Sequence, residues 1–174
     1  MLQFRKARKT DINRIWEIYL ENHIEEEEGR VVIGWNRRIY PVQATAEEAL
    51  LRDDLFVAED ETGVVGTAII NQEQVDVYCD GNWQYDAHDD EIMVLHTLVI
   101  STKAARKGYA KKIVEFYENY AKEQGCPYLR MDTNERNQRA RALYAKLGYR
   151  EIGIVPCTFH GMTGINMVLL EKKL

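Results

Sequence analysis

Two stretches of this chain hold residue types and spacings that could do chemistry. The first is Ser101-Thr102-Lys103-Ala104-Ala105-Arg106-Lys107-Gly108-Tyr109-Ala110, which joins an apolar run to a helical pattern through a glycine. The first N–H groups of a helix lack internal partners, and the helix dipole adds partial positive charge there. Such a nest suits a diphosphate, and Gly108 lets backbone and ligand approach closely. Lys103, Arg106, Lys107, Lys111 and Lys112 add formal charge around it. A solvated basic turn accounts for the same residues, and a lone glycine does not separate the two readings. The second stretch runs from Asn137 to Tyr149 with the spacing NxxAxxLYxKLGY. Helical periodicity aligns Asn137, Ala140 and Tyr144 along one face. Taken alone, it is also an ordinary amphipathic helix with a buried tyrosine.

Single residues add to these. In a regular strand over Ile92 to Ile100, alternation puts Val94, His96, Leu98 and Ile100 on one face. An imidazole, with an ordinary pKa of about 6.5, suits proton transfer near neutrality. A histidine satisfied within the core is the competing reading. Asp132 is the next candidate for a base, although an ion pair with Arg130 on the same strand face explains it more simply. Cys157 and His160 fall in the last hairpin and read as structural, while His23 and His88 have no evident partner.

Composition narrows the function classes. The 174 residues are 45% apolar and 29% charged, which is ordinary globular composition. No apolar run approaches the roughly 18 residues of a membrane span, and no apolar stretch follows the basic N-terminus as in a secretory signal. Three scattered cysteines, Cys79, Cys126 and Cys157, form no CxxC pair, so neither a zinc site nor a disulfide framework is expected. A reducing cytoplasm is the expected setting. The net charge of −5 argues against a general nucleic-acid binder. It is unevenly spread, with 9 basic against 20 acidic residues over 1–90 and 14 against 8 over 91–174.

The elements that must position these groups read as one α/β domain over residues 1–174. A first strand near Leu2 to Arg8 leads to Asp11, a helix cap, and then to apolar residues at helical spacing. Thr45 and Glu48 have the spacing of a capping box that opens a short helix. Leu55 to Ala58 and Val64 to Ile70 read as a hairpin, and Asp76 to Asp90 as irregular. Beyond the strand at Ile92 to Ile100, a helix is expected from Tyr109 to Gln124, a strand from Tyr128 to Thr133 and a helix from Asn137 to Leu147. Arg150 to Val155 and Ile165 to Leu170 are the last strands, joined by a loop from Pro156 to Gly164.

Ala105 to Ala110, with Gly108 and Ala110 in register, and Asn137 to Tyr149 together resemble the GNAT superfamily of acetyl-CoA-dependent N-acetyltransferases. The likeness is strongest over residues 92 to 155. Ala105 departs from it, standing where the family usually has Gln or Arg. The resemblance implies a mixed, mostly antiparallel central sheet with helices on both faces. It implies acetyl-CoA as cosubstrate, no metal, and an amine acceptor that attacks the thioester directly. By the same resemblance the backbone of Leu98, Val99 and Ile100 would pair with the pantetheine arm. Arg106, Lys107, Gly108, Tyr109, Ala110 and Lys111 would form the diphosphate loop, and Asn137 would contact the cofactor arm. Tyr144 would protonate the departing thiolate, and His96 would take the amine's proton.

The acceptor expected is a small cationic amine or an amino-terminal group, drawn by Glu25 to Glu28 and Asp86 to Glu91. Trp35, Tyr40, Trp83 and Tyr85 lie beside these acids as lips or as core. A sensor or partner protein that binds acyl-CoA without turnover is the alternative, and a homodimer stays open.

Overall fold

The computed structural model describes all residues from Met1 to Leu174. Seven strands and four α-helices follow in the order β1 (Gln3–Lys6), α1 (Ile12–Glu27), α2 (Gln43–Leu51), β2 (Leu55–Asp60), β3 (Gly63–Asn71), β4 (Ile92–Ile100), α3 (Tyr109–Glu123), β5 (Tyr128–Asn134), α4 (Gln138–Lys146), β6 (Arg150–Phe159) and β7 (Met162–Lys173). The strands lie in one sheet in the order β1-β2-β3-β4-β5-β7-β6. β4 and β5 are parallel, whereas β1–β2, β2–β3, β5–β7 and β6–β7 are antiparallel. This is the mixed, mostly antiparallel sheet that the sequence implies. No helix is long and apolar enough to cross a membrane.

The chain divides into two compact units. The first comprises Met1–Val31, Trp35–Ile70 and His96–Phe116; the second comprises Val32–Gly34, Asn71–Leu95 and Tyr117–Leu174. In the first unit, α1 buries Ile12, Ile15, Ile18 and Tyr19 against Leu55, Val57 and Val99. This is the stripe that a 3.6-residue period dictates. In the second, Tyr78 packs with Ile92, Val94, Met167 and Leu169. The Tyr117 hydroxyl there donates to the Met93 carbonyl at 2.6 Å.

Several boundaries differ from the sequence reading for local reasons. The helix expected to open at Thr45 begins at Gln43, because the Thr45 hydroxyl accepts the Val42 N–H and caps one turn further back. Asp11 ends a short 3₁₀ turn, where its carboxylate takes the Arg8 N–H and the Arg5 guanidinium instead of a helix N–H. The loop expected from Pro156 to Gly164 is mostly strand. Pro156 pairs opposite Asn166, and the chain reverses at His160 and Gly161, both with positive φ. β6 is the last strand of the sheet, and an edge tolerates a residue with no N–H to donate. The irregular region 76–91 contains two short 3₁₀ turns, Asp76–Asp80 and Asp89–Glu91.

Candidate active site

In the first unit, β4 runs into the turn that precedes α3. Arg106 and Gly108 both have left-handed backbones, with φ of 65° and 73°. Left-handed residues set close together point successive N–H groups inward, as an anion nest requires. The Lys112 N–H returns to the Gly108 carbonyl, while those of Arg106 to Lys111 donate to no protein group. Nothing lies within 4 Å of the space a Cβ on Gly108 would take, so the turn is open on that side.

Two carboxylates outside the motif hold the ends of this turn. Glu21 on α1 accepts the Ser101 hydroxyl at 2.6 Å and the Thr102 N–H at 2.9 Å, and is itself held by Arg14 at 3.0 Å. At the far end Asp60 accepts the Tyr109 hydroxyl at 2.9 Å, and the Lys107 ammonium lies 3.6 Å from it. Hydrogen bonds from the Thr62 hydroxyl and N–H hold the Asp60 carboxyl down to about 2. Neither carboxylate is signalled in the sequence, since each lies more than 40 residues from the turn it anchors.

Leu98, Val99 and Ile100 lie on β4 as expected. The alternation used for His96 does not carry through, because Thr97 has a left-handed φ of 48°. Such a residue inside a strand shifts the side-chain register, as a bulge does. Thr97 is bonded through its hydroxyl to Tyr40. Tyr40 in turn meets Trp35 edge to face at 6.2 Å, and Trp35 packs against the α1 core.

In the second unit, Asn137 is the N-cap of α4. Its side-chain oxygen accepts the Ala140 N–H at 3.1 Å, while its amide NH₂ donates to no protein group. Tyr144 is 8% exposed and packs edge to face on Tyr149. Its hydroxyl makes no hydrogen bond within the protein, neither to a backbone carbonyl nor to a side chain. Burial, with the Asp132 charge nearby, raises its pKa.

The expected Arg130–Asp132 pair does not form. Arg130 donates to Gln74 and lies over the Trp83 ring at 4.1 Å, and Asp132 instead accepts the Tyr78 hydroxyl at 2.7 Å. Arg130 therefore occupies the face of Trp83, whose own N–H goes to the Tyr78 carbonyl, so Trp83 is half-buried packing against the Tyr78 core. Glu25 and Glu28 share Arg30, and Glu27 is paired with Arg37, so two arginines halve the charge of the four glutamates in the first acidic cluster. His23 is buried and bonded to the Pro41 carbonyl, a structural role.

The acetyltransferase (GNAT) family has a model that matches residues 10–149. The chain belongs to this family. It is 33% identical over 63 residues to a D-amino-acid N-acetyltransferase of Saccharomyces cerevisiae, a match covering 36% of this chain and 39% of that protein. It is 32% identical over 60 residues to the aminoglycoside N(6')-acetyltransferase type 1 of Serratia marcescens, covering 34% and 41% respectively. These matches span about two fifths of the length of those relatives. A GNAT-family acetyltransferase from Streptococcus agalactiae has the same fold, with a TM-score of 0.84 at 22% identity over 99% of this chain and 95% of that one. The ribosomal-protein-alanine N-acetyltransferase from Brucella melitensis aligns with a TM-score of 0.72 at 17% identity, covering 99% of each chain.

The open turn and the NxxAxxLYxKLGY helix, the two segments that carry the resemblance, are both formed here. The open turn, with its unpaired N–H groups, fits a diphosphate. The uncommitted amide of Asn137 fits a polar ligand arm.

Proposed function

We propose that residues 1–174 act as one acetyltransferase domain that moves an acetyl group from acetyl-CoA to an amine. The observation that carries this reading is the turn between β4 and α3, with two left-handed residues and six N–H groups left for an anion. Acetyl-CoA supplies an activated acyl group whose thiolate leaves as the amine attacks. Residues 106–111 bind its diphosphate through backbone N–H groups, and Leu98 to Ile100 offer strand backbone to the pantetheine arm. Backbone N–H groups near Leu98 stabilise charge on the carbonyl oxygen as it develops. Asn137 directs its free amide to the cofactor arm. Tyr144 gives its hydroxyl proton to the departing sulfur, and its unpaired hydroxyl supports that role. His96 enters as the sequence's candidate for the amine's proton, without the support of strand alternation.

The acceptor proposed is the amine of a small molecule or of a chain terminus. The similar proteins named for D-amino acids, aminoglycosides and ribosomal-protein alanine all take amine nitrogen. The test has two parts, calorimetric binding of acetyl-CoA and release of CoA across a panel of polyamines, amino acids, peptides and aminoglycosides. Binding together with release for at least one amine is expected. Binding with no release for any amine would replace the enzyme by an acyl-CoA sensor.

A further inference from the structure

β4 and β5 stay in register over only four pairs, from Ile92 with Tyr128 to Leu95 with Met131. Asp132 is the first residue of β5 beyond that run. On its other side it remains paired with Leu169 of β7, which fixes its backbone. Asp132 is half-buried and keeps part of its surface in solvent. Its one hydrogen bond within the protein comes from Tyr78, at 2.7 Å. No cation pairs with it, since Arg130 is engaged by Gln74 and Trp83.

We infer that Asp132 accepts the proton of the attacking amine, and that Tyr78 is a positioning residue that holds this carboxylate and sets its proton affinity. The inference rests on the acetyl-transfer reading and assigns a residue within it. A half-buried carboxylate with no cationic partner and part of its surface in solvent is a better base than a paired one. The groups that face it are Tyr78 from the 71–91 segment, Tyr144 from α4 and Cys157 from β6, none of them cationic. Burial raises the pKa of Asp132, and the Tyr78 hydrogen bond opposes that rise by favouring the charged form.

Asp132 takes one proton from the acceptor's ammonium and leaves a lone pair on nitrogen. That pair forms the C–N bond to the thioester carbonyl, and the C–S bond breaks with its electrons on sulfur. Tyr144 supplies the proton to sulfur, the second nitrogen proton restores Tyr144 through water, and Asp132 returns its own to solvent.

The test is kcat against pH at saturating acetyl-CoA and amine, with acetyl-CoA affinity measured for each variant. Wild type should show an acidic limb. Asp132→Asn should lose that limb and on the order of 100-fold in kcat, with acetyl-CoA affinity retained. Tyr78→Phe should keep activity at high pH and move the limb upward, because the bond favouring the carboxylate is gone. That shift also decides the matter if Asp132→Asn does not fold. An acidic limb that persists unchanged in Asp132→Asn, or that is unmoved in Tyr78→Phe and lost in His96→Ala, overturns the assignment and leaves acetyl transfer standing. Wild type that binds acetyl-CoA but releases no CoA with any amine overturns the transfer reading and, with it, this assignment.

Discussion

The turn before α3 and the cluster around Asp132 solve different problems with different materials. The turn is built from backbone: unpaired N–H groups, two left-handed residues and an opening at Gly108. Side chains enter there as anchors, Glu21 at one end and Asp60 at the other. The cluster is built from side chains on a rigid strand and helix, Asp132 and Tyr144, with Tyr78 brought in from an irregular segment. A backbone nest recognises a charge whatever its protonation, so backbone geometry should govern its strength. Buried hydroxyl and carboxyl groups act by exchanging protons, so their contribution should follow pH and single-atom changes. Replacing residues in one region should therefore change affinity, and in the other turnover.

The largest expected effect tests the second half of that statement. Tyr144→Phe removes one hydroxyl that has no protein partner, so packing on Tyr149 is preserved. A fall in kcat on the order of 100-fold is expected, with acetyl-CoA affinity unchanged. A loss of affinity with kcat intact would move Tyr144 from proton donor to binding group and erase the contrast.

Gly108→Val tests the first half. No protein atom lies near the added Cβ, so the fold has room for it, but a β-branched residue resists a φ of 73°. Acetyl-CoA binding should weaken about tenfold, which is roughly 1.4 kcal/mol. Titration calorimetry on the folded variant reads it directly. Undiminished affinity would show that the lysines, rather than the backbone, hold the anion.

How far this division was legible in the sequence depended on what carries each part. β4 was placed to the residue, because a strand flanked on both sides is a continuous apolar run. α3 and α4 followed from periodicity with glycines just past their ends. Thr97 was not legible, since a β-branched residue gives no hint of a left-handed backbone. The Arg130–Asp132 expectation failed on distance and competition. Residues two apart on a strand are about 6.6 Å apart along the chain, and Trp83 and Gln74 offer Arg130 closer partners. Tyr78 was missed because its segment has no period to assign it a face. Only the fold shows that it reaches Asp132, 54 residues away.

A smaller effect concerns the anchor at the far end of the turn. Asp60 has a carboxyl held at about 2, below the ordinary value near 3.9. A lowered carboxyl stabilises the fold above its unfolded pKa, and that contribution disappears as pH falls from about 4 towards 2. Asp60→Asn should therefore lower Tm at neutral pH and flatten its dependence on pH over that window. An acid limb as steep as in wild type would mean that Asp60 is not what ties Tyr109 and Lys107 to β2.

The smallest effect concerns the two acidic clusters, which the structure makes unequal. Arg30 and Arg37 answer half the charge of Glu25 to Glu28, which weakens the field that this cluster presents to a passing cation. Asp86, Asp89 and Asp90 are exposed and form no ion pair, so on the proposed reading of a cationic acceptor theirs is the less quenched field. Exposed charges act over a Debye length of about 8 Å at physiological ionic strength, so their influence fades with salt. For a polyamine, kcat/KM should fall on the order of twofold more across a salt series than for a neutral-bodied amine of similar size. Replacing Asp86, Asp89 and Asp90 together with asparagine should remove most of that difference, because arginines already halve the charge of the remaining cluster. If the difference persists in the triple variant, the field comes from elsewhere, and the pairing of Glu25 to Glu28 with arginine does not quench it in solution.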